Sequence, residues 1–129
     1  MQKNEIVDEW LNYANMDMIS AQYLTSLKPM PYEIICYHCQ QTVEKLLKAY
    51  IIFNDGELLR THDLIELNTI CSTYCSDFSN IMDNCINLND YSVQVRYPYH
   101  QFDIEEIDVE NALKDMEIIN NFVRKRIKE

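Results

Sequence analysis

Residues that interrupt helices are nearly absent from this chain. Its 129 residues include one glycine and three prolines, Gly56, Pro29, Pro31 and Pro98. Long stretches are therefore free of the residue types that break helices or build tight turns. Hydrophobic residues make up 47% of the sequence, which is enough to bury one continuous core at this length. The sequence predicts few, long helices in a single domain over residues 1–129.

The spacing of apolar residues predicts a first helix over about residues 4–27. Apolar or small residues recur there at steps of three and four, which is the pattern of one buried helical stripe. This stripe comprises Ile6, Trp10, Tyr13, Ala14, Met18, Ala21 and Leu24. A second helix is expected over about residues 32–53, with Pro31 in its first turn. It is apolar around most of its circumference, as is typical of the most buried helix of a bundle.

A third helix is expected after a short turn. Gly56 can supply the left-handed residue that ends the second helix, because glycine adopts that conformation at little cost. Thr61 or Asp63 can then cap a third helix that continues to about Tyr74.

Two more helices complete the predicted fold. A fourth is expected to start at Asp77 or Ser79, and Asp108 is expected to cap the last one. Between residues 87 and 106 the periodicity is weak, and we interpret this aromatic-rich stretch as an ordered connection rather than a strand. The predicted fold class is all-α, a compact up-and-down bundle of about five helices.

The charge balance excludes several functions. The formal net charge is −10, with 21 acidic against 11 basic residues, so the chain as a whole repels a phosphate backbone. We therefore expect no general DNA binding. A membrane span requires about 20 predominantly apolar residues, and charged or amide side chains interrupt every apolar run well before that length. With no signal-peptide pattern at the start, we expect a soluble, cytoplasmic protein without a membrane association.

The five cysteines raise the question of a metal site. Cys36 and Cys39 are three residues apart, and Cys71 and Cys75 are four apart, all on expected helices. Such pairs usually serve as small core residues in a reducing compartment, and the paired knuckles of a zinc site are missing. The sequence therefore predicts neither a metal nor another cofactor.

Polar side chains on the second helix share one face, because they recur at steps of three and four residues. Asp17 lies at the inner edge of the first helix, and a buried carboxylate there would need a cationic or hydrogen-bonding partner. We therefore predict a polar seam through the otherwise apolar bundle. The polar seam comprises Asp17, His38, Gln41 and Glu44, and Lys45 and Lys48 lie along the same face.

The second helix also resembles the signature helix of HEPN domains (higher eukaryotes and prokaryotes nucleotide-binding). The family pattern is roughly aromatic-His-Cys-Gln-Gln-Ala-Val-Glu-Lys-x-Leu-Lys-Ala, and residues 37–49 read Tyr-His-Cys-Gln-Gln-Thr-Val-Glu-Lys-Leu-Leu-Lys-Ala. Trp10 upstream, Thr-His-Asp-Leu at 61–64 and Arg-Tyr-Pro at 96–98 follow in the family's order. The resemblance covers nearly the whole chain, and it implies an all-α bundle.

The resemblance also implies what such a chain does. HEPN domains commonly form homodimers, and some are metal-independent endoribonucleases that use an arginine followed by a histidine after four to six intervening residues. Others lack this pair and bind a nucleotide or a minimal nucleotidyltransferase partner, often in toxin–antitoxin modules.

Three functional hypotheses follow for this chain. In the first and preferred one, it binds a nucleotide or a nucleotidyltransferase through Lys45, Lys48, Arg96 and Tyr97. In the second it is an endoribonuclease, in which His100 handles the proton of a ribose 2′-hydroxyl and Arg96 stabilises the phosphate. Only three residues separate Arg96 from His100, one fewer than the family's range, which disfavours this hypothesis. In the third, the chain is a dimeric adaptor bundle whose polar seam serves specificity alone.

Overall fold

The computed structural model describes residues 2–92 and 103–128, and every regular element in those ranges is helical. The elements are α1 (Lys3–Leu24), α2 (Tyr32–Phe53), α3 (Leu64–Tyr74), a first 3-10 helix (Ser76–Ile81), α4 (Met82–Asn89), a second 3-10 helix (Asp90–Ser92) and α5 (Glu106–Lys128). These ranges contain no strand and no helix long and apolar enough to cross a membrane. The expected all-α bundle with five α-helices is confirmed.

Helix α2 lies at the centre of the bundle and contacts α1, α3, α4 and α5. Thirteen of its 22 residues are buried, which agrees with its apolar circumference. A helix that is hydrophobic all round can hide its surface only if neighbours cover several of its sides. The other helices therefore take their positions around α2.

Helices α1 and α2 form an antiparallel pair. Their contacts join Lys3 to Phe53, Trp10 to Lys48 and Asp17 to His38. Residue numbers rise along one helix as they fall along the other, which establishes the antiparallel direction. Ala14 and Ala21 are fully buried between the helices, and their small side chains allow the two backbones to approach closely.

The predicted stripe on α1 was wrong at Tyr13, whose side chain is 55% exposed. Tyr13 and Ala14 both fit a spacing of three and four residues, but successive helical positions point about 100° apart. Because Ala14 faces α2 and is fully buried, Tyr13 turns towards solvent.

The turn after α2 differs from the prediction for Gly56. Asp55, with a φ of 62°, is the left-handed residue that ends the helix, and no glycine has a positive φ. The N–H of Asp55 donates to the carbonyl of Ile52 and that of Gly56 donates to the carbonyl of Ile51, both at 2.9 Å. These two bonds are the Schellman pattern of a helix end. Gly56 is required for space, because a Cβ there would lie 2.7 Å from Cγ2 of Ile51.

The starts of α3 and α5 follow different capping patterns. Asp63 caps α3 by accepting from the N–H groups of Ile65 and Glu66 at 2.9 and 3.3 Å. Of the two residues predicted as alternatives, Thr61 and Asp63, the N-cap is therefore Asp63. Asp108 is not the N-cap of α5, because that helix already begins at Glu106. Its carboxylate instead accepts from the N–H of Glu105 at 2.8 Å, so it closes the first turn from inside the helix.

The fourth α-helix starts later than predicted, and only part of the weakly periodic stretch is described. Before α4 the chain forms the first 3-10 helix, so the α-helical turns start at Met82, later than predicted. The stretch 87–106 includes the second 3-10 helix, while residues 93–102 lie outside the described part of the chain.

We expect Gly56→Ala to destabilise the fold by about 1–3 kcal/mol, because the added methyl group overpacks the space beside Ile51 and Tyr74. Urea unfolding followed by circular dichroism measures this change. The control is Asp55→Gly, which keeps the left-handed turn and relieves the strain of a non-glycine residue there. If the two substitutions lowered stability equally, the packing explanation for Gly56 would be wrong.

Candidate functional site

One part of the polar seam centres on Asp17. Nδ1 of His38 lies 2.8 Å from one carboxylate oxygen of Asp17, and the ammonium group of Lys45 donates to the other. Because a carboxylate only accepts, Nδ1 of His38 must carry the hydrogen. We call Asp17, His38 and Lys45 the Asp17 cluster. All three side chains are at least three-quarters buried, so the cluster ties α1 to α2 within the bundle.

The second part of the seam centres on Glu44, whose side chain is only 5% exposed. Its carboxylate accepts from the ammonium group of Lys48 at 3.0 Å and from Gln41 at 3.4 Å, and Nδ1 of His62 lies 3.0 Å away. Gln40 donates to the backbone carbonyl of His62 at 3.1 Å. We call Gln40, Gln41, Glu44, Lys48 and His62 the Glu44 cluster. It joins α2 to the segment before α3.

The two lysines predicted as phosphate contacts are both ion-paired. Lys45 pairs with Asp17, and Lys48 pairs with Glu44 and lies 5.7 Å above the ring of Trp10. The Lys48 side chain is 8% exposed. A phosphate at either lysine would have to compete with a carboxylate already in place. Their assignment to phosphate contacts stays a prediction.

Sequence reasoning missed Gln40 and His62 as members of this network. His62 directly precedes Asp63, the N-cap of α3, so its position in the sequence indicates a helix start rather than a contact with α2. The ring of His62 nevertheless reaches Glu44, 18 positions earlier, although 69% of its side chain is exposed. The one signal in the sequence was the resemblance of Thr-His-Asp-Leu at 61–64 to the HEPN order of motifs, since a helix cap alone does not need the histidine.

A polar cavity of about 360 Å³ lies between α4 and α5. Its lining includes Asn87, Tyr91, Asp108, Asn111, Lys114 and Asp115. Asp115 is 9% exposed, and the side-chain amides of Asn84 and Asn87 donate to its two carboxylate oxygens at 2.8 and 3.3 Å. No sequence pattern indicates this cavity, because its lining combines residues of α4, the second 3-10 helix and α5, which meet only when the helices pack.

Three of the predicted site residues fall in the stretch between α4 and α5. Arg96, Tyr97 and His100 lie outside the described residues, so their roles stay predictions. The chain enters this stretch two residues after Tyr91, which lines the cavity, and leaves it shortly before Asp108, which also lines it.

Comparison with known proteins identifies the family of the chain. The family model described as "HEPN domain" matches residues 7–126. The chain belongs to the HEPN domain family. The crystal structure of ST0689, an archaeal HEPN homologue, is similar to this chain with 25% sequence identity and a TM-score of 0.75. The match covers 94% of this chain and 97% of the ST0689 chain. TT1696 from Thermus thermophilus has the same fold at 22% identity, with 92% and 96% coverage and a TM-score of 0.73. No curated protein matches.

The HEPN signature of α2 is thus divided between two structural tasks. His38 and Lys45 hold α1 through Asp17, and Gln40 and Glu44 hold the start of α3 through His62. Other signature residues of α2 face the core: Cys39, Val43, Leu46 and Leu47 are fully buried.

The positions of the cysteines in this HEPN domain do not suit metal binding, because four of the five thiols are buried and no ligand group surrounds them in the described part of the chain. Among the described residues, no group of three or more histidine, cysteine or acidic side chains could hold a metal ion. Cys36, Cys39, Cys71 and Cys85 are buried, and Cys75 is partly exposed. Burial raises the pKa of Cys36 and Cys85 to about 12, and it raises the pKa of the other two buried thiols as well.

We expect Glu44→Gln to destabilise the fold by about 3 kcal/mol, because it leaves the buried ammonium group of Lys48 without its counter-charge. Urea unfolding measures the loss. The matched control is Asp77→Asn, which removes a carboxylate 61% exposed and 3.5 Å from Arg126, and should cost less than about 1 kcal/mol. Adding Lys48→Met to Glu44→Gln should recover part of the loss. Equal effects of the two single substitutions would contradict this interpretation.

We expect iodoacetamide to modify only Cys75 in the native protein at mildly alkaline pH. The reagent attacks the thiolate, and a raised pKa keeps the four buried thiols protonated as well as inaccessible. Mass spectrometry before and after unfolding in urea counts the modified residues: one in the native protein and five in the unfolded one. Rapid native modification of Cys36 or Cys85 would show that α2 or α4 opens readily.

Proposed function

We propose that this HEPN domain binds a nucleotide in the cavity between α4 and α5. We further propose that it acts in the cytoplasm as a homodimeric partner module of a minimal nucleotidyltransferase, as in toxin–antitoxin pairs. The observation that carries the proposal is the lining of the cavity, where carboxylates, amides and one lysine converge on about 360 Å³ of space. Pockets that bind small molecules have volumes of about 300–1,000 Å³ and use a few convergent polar groups for orientation.

The lining suits the base and the ribose of a nucleotide. The carboxylates of Asp108 and Asp115 are acceptors, so they can bind ribose hydroxyls or an exocyclic amine of a base. The amide of Asn111 both donates and accepts, as recognition of a base edge requires. Asp115 is held in place by two amide donors, and a fixed acceptor loses little entropy when the ligand binds.

The phosphates belong at the rim of the cavity, away from the two carboxylates. Lys114 lines the cavity and is exposed, so it can contact a phosphate at its edge. Arg96 is the other proposed contact, with Tyr97 beside it. Arg96 follows Tyr91, which lines the cavity, by five positions in the sequence.

A larger groove of about 740 Å³ lies near the C-terminal half of α5 and is lined in part by Phe122, Lys125 and Arg126. It supports nucleotide binding less well. The guanidinium of Arg126 stacks 3.4 Å above the Phe122 ring, donates to the Phe122 carbonyl and pairs with Asp77. The cations there also suit the C-terminal end of the helix, where positive charge is favourable. Lys125 therefore provides a control for Lys114.

We expect Lys114→Ala to weaken ATP binding about tenfold, which corresponds to about 1.4 kcal/mol, because it removes a phosphate contact at the rim. Isothermal titration calorimetry of the purified protein with ATP measures the affinity. Lys125→Ala is the control, since it removes the same charge from an exposed position of the same helix and should leave the affinity unchanged.

Two results would contradict the proposal. The first is no saturable heat with ATP, GTP, CTP or UTP while circular dichroism shows a folded protein. The second is an equal loss of affinity in both lysine variants, which would indicate a general charge effect. Incubation with RNA under metal-free conditions tests the endoribonuclease directly. Cleavage that Arg96→Ala and His100→Ala both abolish would replace the present proposal.

A further inference from the structure

Helix α1 has apolar side chains on two opposite faces. Its inner face packs on α2 and includes the fully buried Ala14 and Ala21. Its outer face comprises Tyr13, Met16, Ile19, Tyr23 and Leu27, with Leu27 in the turn that continues the helix. At 100° per residue these five positions fall within an arc of about 120°, on the side away from α2. We call them the outer stripe.

The outer stripe is a large apolar surface for a single domain. The five residues are between 44% and 71% exposed. If a fully exposed side chain of this size presents roughly 200 Å², the stripe presents about 600 Å². A standard protein interface buries about 800 Å² on each partner, so this stripe could form most of the apolar centre of such an interface. Apolar patches of this size on soluble proteins commonly mark interaction sites.

We propose that a second copy of this chain packs on the outer stripe, with the two α1 helices antiparallel about a two-fold axis that crosses the stripe at the level of residue 18. The order of side chains on this face of α1 supports this arrangement. Three residues of the outer stripe, Tyr13, Met16 and Tyr23, and the half-buried Ser20 beside it follow one another at steps of three, four and three residues, which read the same in both directions. The two-fold axis therefore places Tyr13 against Tyr23 of the second copy, and Met16 against the small Ser20.

The charges at the ends of α1 select the antiparallel direction. Asp8 and Glu9 are exposed near the N-terminal end of the stripe, and Lys28 is exposed just beyond its C-terminal end. Antiparallel packing brings Lys28 of one copy towards Asp8 and Glu9 of the other, which is favourable. Parallel packing would place like carboxylates side by side, and such pairs oppose association. An interface between identical surfaces must also be self-complementary, which the antiparallel order satisfies.

This inference rests on the homodimer of the proposed function and names the surface that forms it. We expect sedimentation equilibrium of the full chain to show a dimer. Ile19→Glu should dissociate it, because the charge would lie close to the two-fold axis. Ile86→Glu on α4 is the matched control, since Ile86 is 47% exposed and Ile19 is 55% exposed. It should leave the dimer intact. Circular dichroism establishes that both variants are folded.

Disulfide trapping tests the direction of packing. Tyr13→Cys and Tyr23→Cys are prepared separately in a Cys75→Ser background, because the other four native cysteines are buried. Oxidation of an equal mixture should cross-link one variant to the other in preference to itself. Parallel helices would instead cross-link two copies of the same variant, Tyr13→Cys to Tyr13→Cys and Tyr23→Cys to Tyr23→Cys. Mass spectrometry distinguishes these products, and a majority of self-linked products would overturn the antiparallel arrangement.

The experiments separate this inference from the proposed nucleotide binding. A monomeric wild-type protein would overturn both the inference and the homodimer of the proposed function, whereas a dimer that persists in Ile19→Glu would overturn the inference alone. Neither result would alter the ATP affinity measured with the two lysine variants. Conversely, failure of ATP to bind would leave the dimer and its dependence on the outer stripe unchanged.

Discussion

Glu44 and Lys48 place two opposite charges on α2, the helix that the other four α-helices surround. Removing two charges from water costs several kcal/mol for each ion, and their attraction offsets this cost only when further hydrogen bonds complete the site. Here Gln41 and His62 reach the carboxylate, and the Trp10 ring lies beside the ammonium group. Helix α1 and the segment before α3 must therefore lie where Trp10 and His62 can make these contacts.

The polar seam is best understood as a means of fixing positions. The Asp17 cluster selects one register of α1 on α2, because a shift by one residue would turn Asp17 away from both His38 and Lys45. The Glu44 cluster fixes the segment before α3 in a similar way. Buried ion pairs often add little net stability compared with apolar residues of the same size, but they penalise arrangements that leave a charge unpaired. In this HEPN domain the lysines of the signature thus have structural partners.

The sequence predicted the helices well, because helical periodicity and the near absence of helix breakers are local signals. It also predicted that Asp17 would need a partner on α2. It failed where the result depends on neighbours: Tyr13 fits the periodic stripe but lies outside the contact with α2. The polar cavity was missed for the same reason, since Asn87 and Asp115 meet only after α4 and α5 pack together. Gly56 was expected for its conformation and is needed for its size.

The two proposed surfaces lie on different parts of the bundle, which has a consequence for mechanism. The cavity involves the N-terminal half of α5, whereas α1 meets α5 further along, where Arg124 donates to the carbonyl of Leu11 at 3.3 Å. A dimer formed through the outer stripe would therefore keep its two cavities apart, and each copy would bind its own nucleotide. The proposed interface and the proposed nucleotide site therefore use separate surfaces of the bundle, and a substitution in one should leave the other unchanged.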